Sequence, residues 1–333
     1  MNILIYDVAA SSGGALTILN EYYNKYEKIR DGNHYYFVIS TPNFKNTNNI
    51  TVLRFPWVKK SWLHRVCFEL FDTHRLVKKY KINKIFSLQN LIVLRTNIDQ
   101  DLYVHQSLPF IEYKYGWQEN KLFWVYQNVI GKLIVYSIKK AKKIIVQTRW
   151  MKEACVRKSG CDSTKFFVQM PKLDLTHIVQ YVGQENKVMT FFYPATAVPY
   201  KNHQVILDAC KLLNSDNAHF EIIFTISGKE NELARKLREE AKQYNLPIEF
   251  RGTITRNEVL KLYSKTVLLF PSYVETLGLP LLEARQSKAP IIAADTVFAR
   301  EILKDYKRKV YFRHDDSKLL AACMQKAIRT GEL

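Results

Sequence analysis

The stretch TVLLFPSYVETLGLPLLEARQ, residues 266–286, reads as one unit of a parallel α/β sheet. TVLLF is a short continuous apolar run of the kind that a fully buried strand needs. YVETLG is its exit loop, and Pro280 suits the first turn of the helix LPLLEARQ, where a missing N–H is harmless. Two carboxylates eight positions apart punctuate this unit. Glu275 belongs to the loop at the strand's carboxyl end, and Glu283 is expected in the first turn of the helix. Between them, the amides of Thr276, Leu277 and Gly278 approach a helix N-terminus, which attracts anions.

This geometry suits a nucleotide-sugar. A carboxylate near such a turn can accept both hydroxyls of a ribose, as the acidic residue of dinucleotide folds does. Glu283 then serves the ribose, the loop amides the diphosphate and Glu275 the sugar. The spacing by itself equally allows Glu283 to offset the helix dipole and Glu275 to be solvated.

The same alternation of strand and helix runs outward in both directions. Strands are expected at NILIYDV, YYFVIS, KIFSLQ, DLYVHQ and KKIIVQT in the first half. In the second half they are expected at KVMTFFYPA, FEIIFTISG, IEFRG, TVLLFPS, APIIAAD and KVYFRH. Both halves therefore read as doubly wound α/β domains. At 333 residues the chain exceeds the size at which one core stops growing. The weakest stretch for regular structure, QMPKLDLTHIVQYVGQEN, is the expected linker, giving domains at 1–175 and 186–333.

The charge is uneven. Residues 1–172 hold 27 Lys and Arg against 12 Asp and Glu, whereas residues 173–333 hold 23 against 19. The basic face thus belongs to the first half and fits nucleic acid, an anionic membrane surface or an anionic substrate. Five scattered cysteines without a C-x-x-C pair argue against a disulfide framework or a zinc site. No uncharged apolar run approaches the roughly 20 residues that span a bilayer. MNILIYDV begins as a strand rather than a leader, so a cytoplasmic location is expected.

PSYVETLGLPLLEA resembles the E-x7-E signature of the retaining glycosyltransferases of family 4, which have the GT-B fold of two facing Rossmann-like domains with an interdomain cleft. FRGTITRNEVLKLYSKTVLLFPS and APIIAADTVFAREIL resemble the segments that flank that signature. The resemblance is strong over residues 188–327 and thinner before them. It implies an acceptor-binding first domain, a nucleotide-sugar-binding second domain and no cofactor beyond the donor itself.

Further positions take roles from this resemblance. Lys201, before a helix that Asn202 could cap, matches a lysine that contacts the donor diphosphate. The family's arginine five positions earlier is Thr196 here, a departure for which His203, Lys229 or Arg251 could compensate. Gly13 and Gly14 follow the first strand, where absent side chains would admit a substrate close to the backbone; a plain turn explains them as well. His105, after the strand DLYVHQ, best matches a histidine that faces the donor sugar and acceptor, where it could hydrogen-bond the sugar or ease acceptor deprotonation. A structural histidine is the ordinary alternative.

Asp99 and Asp101 spell the D-x-D that holds a metal in the GT-A architecture, but they precede a strand, at the end opposite the expected site. A solvated turn and metal-independent transfer are expected instead. The segment 57–84 interleaves aromatic and apolar residues with eight Lys or Arg. Read as an amphipathic helix, it places Trp57, Lys59, Lys60, Trp62 and Arg65 at an anionic membrane or acceptor. Solvated charges over a packed apolar face are the alternative. No helix-turn-helix, zinc or RNA-recognition signature supports nucleic-acid binding.

The expectation is a peripheral glycosyltransferase that transfers, with retention, from a nucleotide-sugar to a saccharide or lipid-linked saccharide acceptor in cell-surface polysaccharide assembly. A GT-B epimerase or hydrolase and a non-enzymatic basic nucleic-acid-binding protein are the competing readings. The chain ends at KLLAACMQKAIRTGEL, where the resembling family usually adds a helix crossing back to the first domain.

Overall fold

The computed structural model describes residues 1–11, 13–171, 178–183, 188–215, 218–331 and 333. The chain forms two compact units, residues 1–172 and 173–333. The expected domain edges at 175 and 186 lie outside the described residues.

The first unit is built on seven strands: β1 Asn2–Asp7, β2 His34–Ile39, β3 Ile50–Arg54, β4 Lys84–Ser87, β5 Gln100–Val104, β6 Lys143–Val146 and β7 Phe166–Val168. Their order is β3-β2-β1-β4-β5-β6-β7, and every pairing is parallel. The second unit has β8 Met189–Tyr193, β9 Phe220–Phe224, β10 Ile248–Phe250, β11 Val267–Phe270, β12 Ile291–Ala294 and β13 Lys309–Phe312. Its order, β10-β9-β8-β11-β12-β13, is again all parallel. Each sheet reverses direction of growth once, between β1 and β4 and between β8 and β11. Ligands of open α/β sheets bind outside the carboxyl ends of the strands at such a switch point.

The central strands are buried on both faces, and their sequences are correspondingly apolar throughout. Leu268, Leu269 and Phe270 of β11 are fully buried, as are Phe191, Phe192 and Tyr193 of β8. In the first unit, one side of the sheet packs Ile5, Phe37 and Tyr103 against Leu19, Tyr22 and Tyr23 of the helix Gly13–Lys28. The other side packs Leu4, Tyr6 and Val38 against Phe68 and Val77.

All eleven expected strands are present. The two that sequence reading missed, β3 and β7, are the two edges of the first sheet. An edge strand pairs on one side only and needs less burial. ITVLR has one buried residue and follows a polar run, and FFV is three residues long with two exposed.

The segment 57–84 is not one amphipathic helix. It breaks into a 3-10 turn Pro56–Lys59, a helix Trp62–Cys67 capped by Ser61, a π-helical turn Phe68–Asp72 and a helix Thr73–Lys79. The breaks reorient its side chains. Trp57 packs on Phe68 with ring centroids 5.6 Å apart, Lys59 donates to the Ala9 carbonyl, and Arg65 pairs with Glu69 at 2.9 Å. Of the five residues assigned to a membrane or acceptor face, Lys60 and Trp62 are exposed, as are Leu63, Val66 and Phe71 of the same segment. No helix among the described residues is long and apolar enough to cross a membrane.

Candidate functional site

The switch point of the second sheet brings two of the expected residues together. Lys201 ends a 3-10 turn, Pro199–Lys201, in the loop that leaves β8. Glu275 lies in the loop that leaves the neighbouring strand β11. The Lys201 ammonium and the Glu275 carboxylate form an ion pair, and both side chains are largely buried. The two loops are also joined through their backbones, since the Tyr273 N–H donates to the Tyr200 carbonyl at 3.1 Å. Ser272 Oγ stands 2.9 Å from Glu275 Oε1 and 3.2 Å from the Tyr200 carbonyl, so its single proton serves one at a time. Tyr193, fully buried in β8, donates its hydroxyl to the Lys201 carbonyl at 2.6 Å. The Lys201 backbone is therefore held from β8, and its ammonium by Glu275.

The turn after Glu275 ends at Gly278, which precedes the helix Leu279–Gln286 with φ 76°, ψ 64°. A Cβ there would stand 3.3 Å from Leu281 Cδ1 and 3.4 Å from Phe270 Cζ, and left-handed backbone disfavours any L side chain. Conformation is thus what favours glycine here, with the Leu281 methyl the one tight neighbour. Leu277 is buried.

Glu283 is the fifth residue of this helix and so sits in its second turn, not its first. A helix of 3.6 residues per turn starting at Leu279 allows nothing else, and the tilt of Cα–Cβ bonds toward the N-terminus still carries the side chain back over the first turn. Its carboxylate is buried and held from two sides. Arg256 Nη1 donates to Oε1 at 2.7 Å and the Tyr263 hydroxyl to Oε2 at 3.2 Å. Burial pushes the Glu283 carboxyl above the usual range, with Arg256 and then Tyr263 acting against that rise.

Asn202 and His203 depart from the sequence reading. Asn202 does not take the extended conformation of a helix cap; it is left-handed, φ 56°, and its Nδ2 donates to the His314 carbonyl at 2.7 Å. It ties the loop after β8 to the loop after β13. His203, offered as a substitute cation, is buried between the Tyr193 and Phe224 rings. Burial, and then the neighbouring Lys201, push its imidazole down to about 3, so it is neutral near pH 7. Arg251 forks onto Glu249 at 2.9 and 2.6 Å, and Lys229 is exposed. Thr196 is exposed and accepts the Val198 N–H on its carbonyl.

In the first unit, Gly13 and Gly14 open the helix Gly13–Lys28 beyond β1, and an added Cβ at either would meet no atom within 4 Å. His105 follows β5. Its Nε2 lies 2.9 Å from the Leu88 carbonyl and its backbone N–H donates to Asn90 Oδ1 at 2.7 Å, which tie it to the exit of β4 at that sheet's own switch point. Burial lowers its imidazole below the usual range despite the Leu88 carbonyl. Asp99 and Asp101 lie at the amino end of β5, where Lys142 and Lys84 pair with them at 2.6 and 2.8 Å. Among the described residues no group of three or more His, Cys, Asp or Glu could hold a metal ion.

Sequence reading did not single out Arg256, Tyr263 or Ser272. A signal for the first was present: Thr255 and Glu258 form a reciprocal capping box that starts the helix Arg256–Tyr263 and puts Arg256 at its first position.

Comparison with known proteins bears on the family and the fold. Residues 178–333 match the family described as Glycosyl transferases group 1. The O-antigen chain mannosyltransferase RfbU of Salmonella typhimurium is 26% identical over 290 residues, covering 85% of this chain and 74% of the relative. Sucrose-phosphate synthase from Thermosynechococcus elongatus superposes with a TM-score of 0.74 at 16% identity, over 99% of this chain and 90% of that one. Anabaena HepE in complex with UDP-glucose gives 0.72 at 13% identity, with the same coverage. These structural likenesses, with the two parallel sheets, establish a two-domain Rossmann-like GT-B fold.

Proposed function

We propose that this chain, whose residues 178–333 carry a group 1 glycosyltransferase domain, moves a sugar from a nucleotide-sugar to a saccharide acceptor with retention of configuration and without a metal. The observation that carries the reading is the meeting of Lys201 and Glu275 at the switch point of the second sheet. The resemblance to the E-x7-E enzymes of family 4 supplies retention and front-face displacement, and the relative RfbU makes O-antigen-type polysaccharide and a mannosyl donor the first to try.

The residues divide the work. Lys201 and the amides of the turn at Thr276, Leu277 and Gly278 take up the charge that develops on the departing diphosphate. Glu275 stabilises the oxocarbenium-like sugar, and Glu283 holds the ribose. His105, neutral at pH 7, offers a hydrogen bond to the sugar or to an acceptor hydroxyl. The first domain, residues 1–175, binds the acceptor, and its excess of lysine and arginine suits a lipid-linked diphosphate saccharide at the inner face of a membrane. Lys60 beside the exposed Trp62, Leu63, Val66 and Phe71 gives that domain an apolar and basic surface.

The test is a transfer assay with GDP- and UDP-sugars, a saccharide-diphosphate-lipid acceptor in anionic vesicles, and excess chelator. Product with the donor's anomeric configuration, seen by NMR, is expected with chelator present. Epimerised donor without acceptor would move the assignment to a nucleotide-sugar epimerase, and rescue by manganese alone would overturn metal independence.

A further inference from the structure

We infer that one side of the first unit, covered by residues 121–140 together with residues 62–71, lies flat on an anionic lipid bilayer. The inference deepens the proposed placement at a membrane by adding a helical run outside residues 57–84. Vesicle binding tests it whether or not sugar is transferred.

Residues 121–140 form one uninterrupted run: a helix Lys121–Val125 capped by Asn120, a π-helical turn Tyr126–Ile130 and a helix Gly131–Lys140. Its inner side is apolar, with Ile134 and Ile138 packed among Leu102 and Val104 of β5. Its outer side is apolar too. Leu122, Val129, Leu133 and Tyr136 recur at helical spacing and are each about half exposed. A surface helix of a globular protein carries polar residues there, so this stripe calls for a cover. Charge says which. Lys121, Lys132, Lys139 and Lys140 are exposed around it, and no Asp or Glu occurs between Glu119 and Glu153. A second copy of the same face would set lysine against lysine. A bilayer with anionic headgroups takes the stripe into its interface and the ammonium groups to its phosphates.

Register places the other segment on the same side. Tyr6 pairs with Ser87 and Ser87 with Leu102, and residues in register share a face of the sheet. Tyr6 packs with Phe68 and Val77, and Leu102 with Ile134 and Ile138. Residues 62–79 and 121–140 therefore cover one face, as right-handed crossovers require. Trp62, Leu63, Val66 and Phe71 are exposed on the first of them. The helix Gly13–Lys28 packs on the opposite face, against Ile5, Phe37 and Tyr103, and among the described residues it exposes no large apolar one. The apolar surface of this unit's helices is thus one-sided, as docking on a plane demands.

The experiment is co-sedimentation of the full chain with phosphatidylcholine vesicles, with and without phosphatidylglycerol, at low and high salt. Binding is expected only with phosphatidylglycerol, and it should weaken as salt rises. The double variant Leu133→Ser, Tyr136→Ser and, separately, Lys132→Glu, Lys139→Glu should each lower it about tenfold or more, with an unchanged thermal midpoint. Lys28→Glu, on the opposite face, should leave it nearly as it was. No binding to phosphatidylglycerol vesicles, or full binding in both double variants, would overturn the docking face. So would a dimer in solution that the changes at Leu133 and Tyr136 dissolve. A loss confined to Trp62→Ser, Phe71→Ser would overturn the assignment to residues 121–140 while sparing the proposed membrane placement. Vesicle binding as expected, with no sugar transferred from any donor, would count against the proposed function alone.

Discussion

Lys201 and Glu275 are paired with one another across the switch point between β8 and β11. In the proposed reaction they serve different parts of the donor, the ammonium its diphosphate and the carboxylate its sugar. On that proposal an arriving diphosphate would compete for the lysine and release the glutamate, which Ser272, 2.9 Å away, would still hold. Donor binding then readies the group that the sugar needs.

The two members should fail differently. Glu275→Gln should lower kcat about 10²- to 10³-fold, as loss of one transition-state stabilising group does, with donor affinity within a few-fold of the unaltered protein. Lys201→Ala should weaken donor binding by about tenfold or more, the worth of a hydrogen bond to a charged group. Steady-state kinetics combined with donor titration separates these outcomes.

His105→Ala should lower transfer by about 10²-fold if the imidazole moves a proton. Since burial lowers its protonation range below the ordinary one, kcat/KM should hold level from pH 8 to below pH 6.5. A full transfer rate in the variant, measured with saturating donor and acceptor, would remove His105 from the mechanism.

His203 makes the second unit sensitive to acid. Its imidazole is pushed down to about 3 in the folded chain, against about 6.5 when unfolded. The unfolded chain therefore binds more protons between these values, and stability is lost as pH falls below 6.5. Between pH 7 and pH 5 this one residue should cost about 2 kcal/mol. Denaturant unfolding of His203→Phe should show a correspondingly smaller loss over the same interval.

Gly278→Ala should destabilise the chain by about 1–2 kcal/mol, the cost of left-handed backbone for an L residue. Because Gly278 joins the loop of Glu275 to the helix of Glu283, donor affinity and turnover should both fall. Thermal unfolding and donor titration of the same preparation test both halves.

The sequence was most readable where local rules and burial agree. TVLLF could be nothing but an inner strand, and Pro280 fixed the start of the helix after it. β3 and β7 escaped because edges need neither the length nor the two-sided burial that makes an inner strand recognisable. The carboxylates were singled out by their spacing, and Lys201 by the resemblance to family 4. Arg256 and Tyr263 were not, because their meeting with Glu283 joins residues 27 and 20 positions apart along the chain. Asn202 illustrates the same limit: residue type suggested a cap, while the bond to the His314 carbonyl, 112 positions away, set its backbone.

The anchors of the two glutamates never share an element. Glu275 is steadied by Ser272 and by the loop beyond β8, whereas Glu283 is steadied by the helix Arg256–Tyr263 that precedes β11. On the proposed roles, substitutions in that one helix would alter the grip on the ribose while the contacts of Glu275 stay as they are, so that donor binding and turnover are open to separate adjustment.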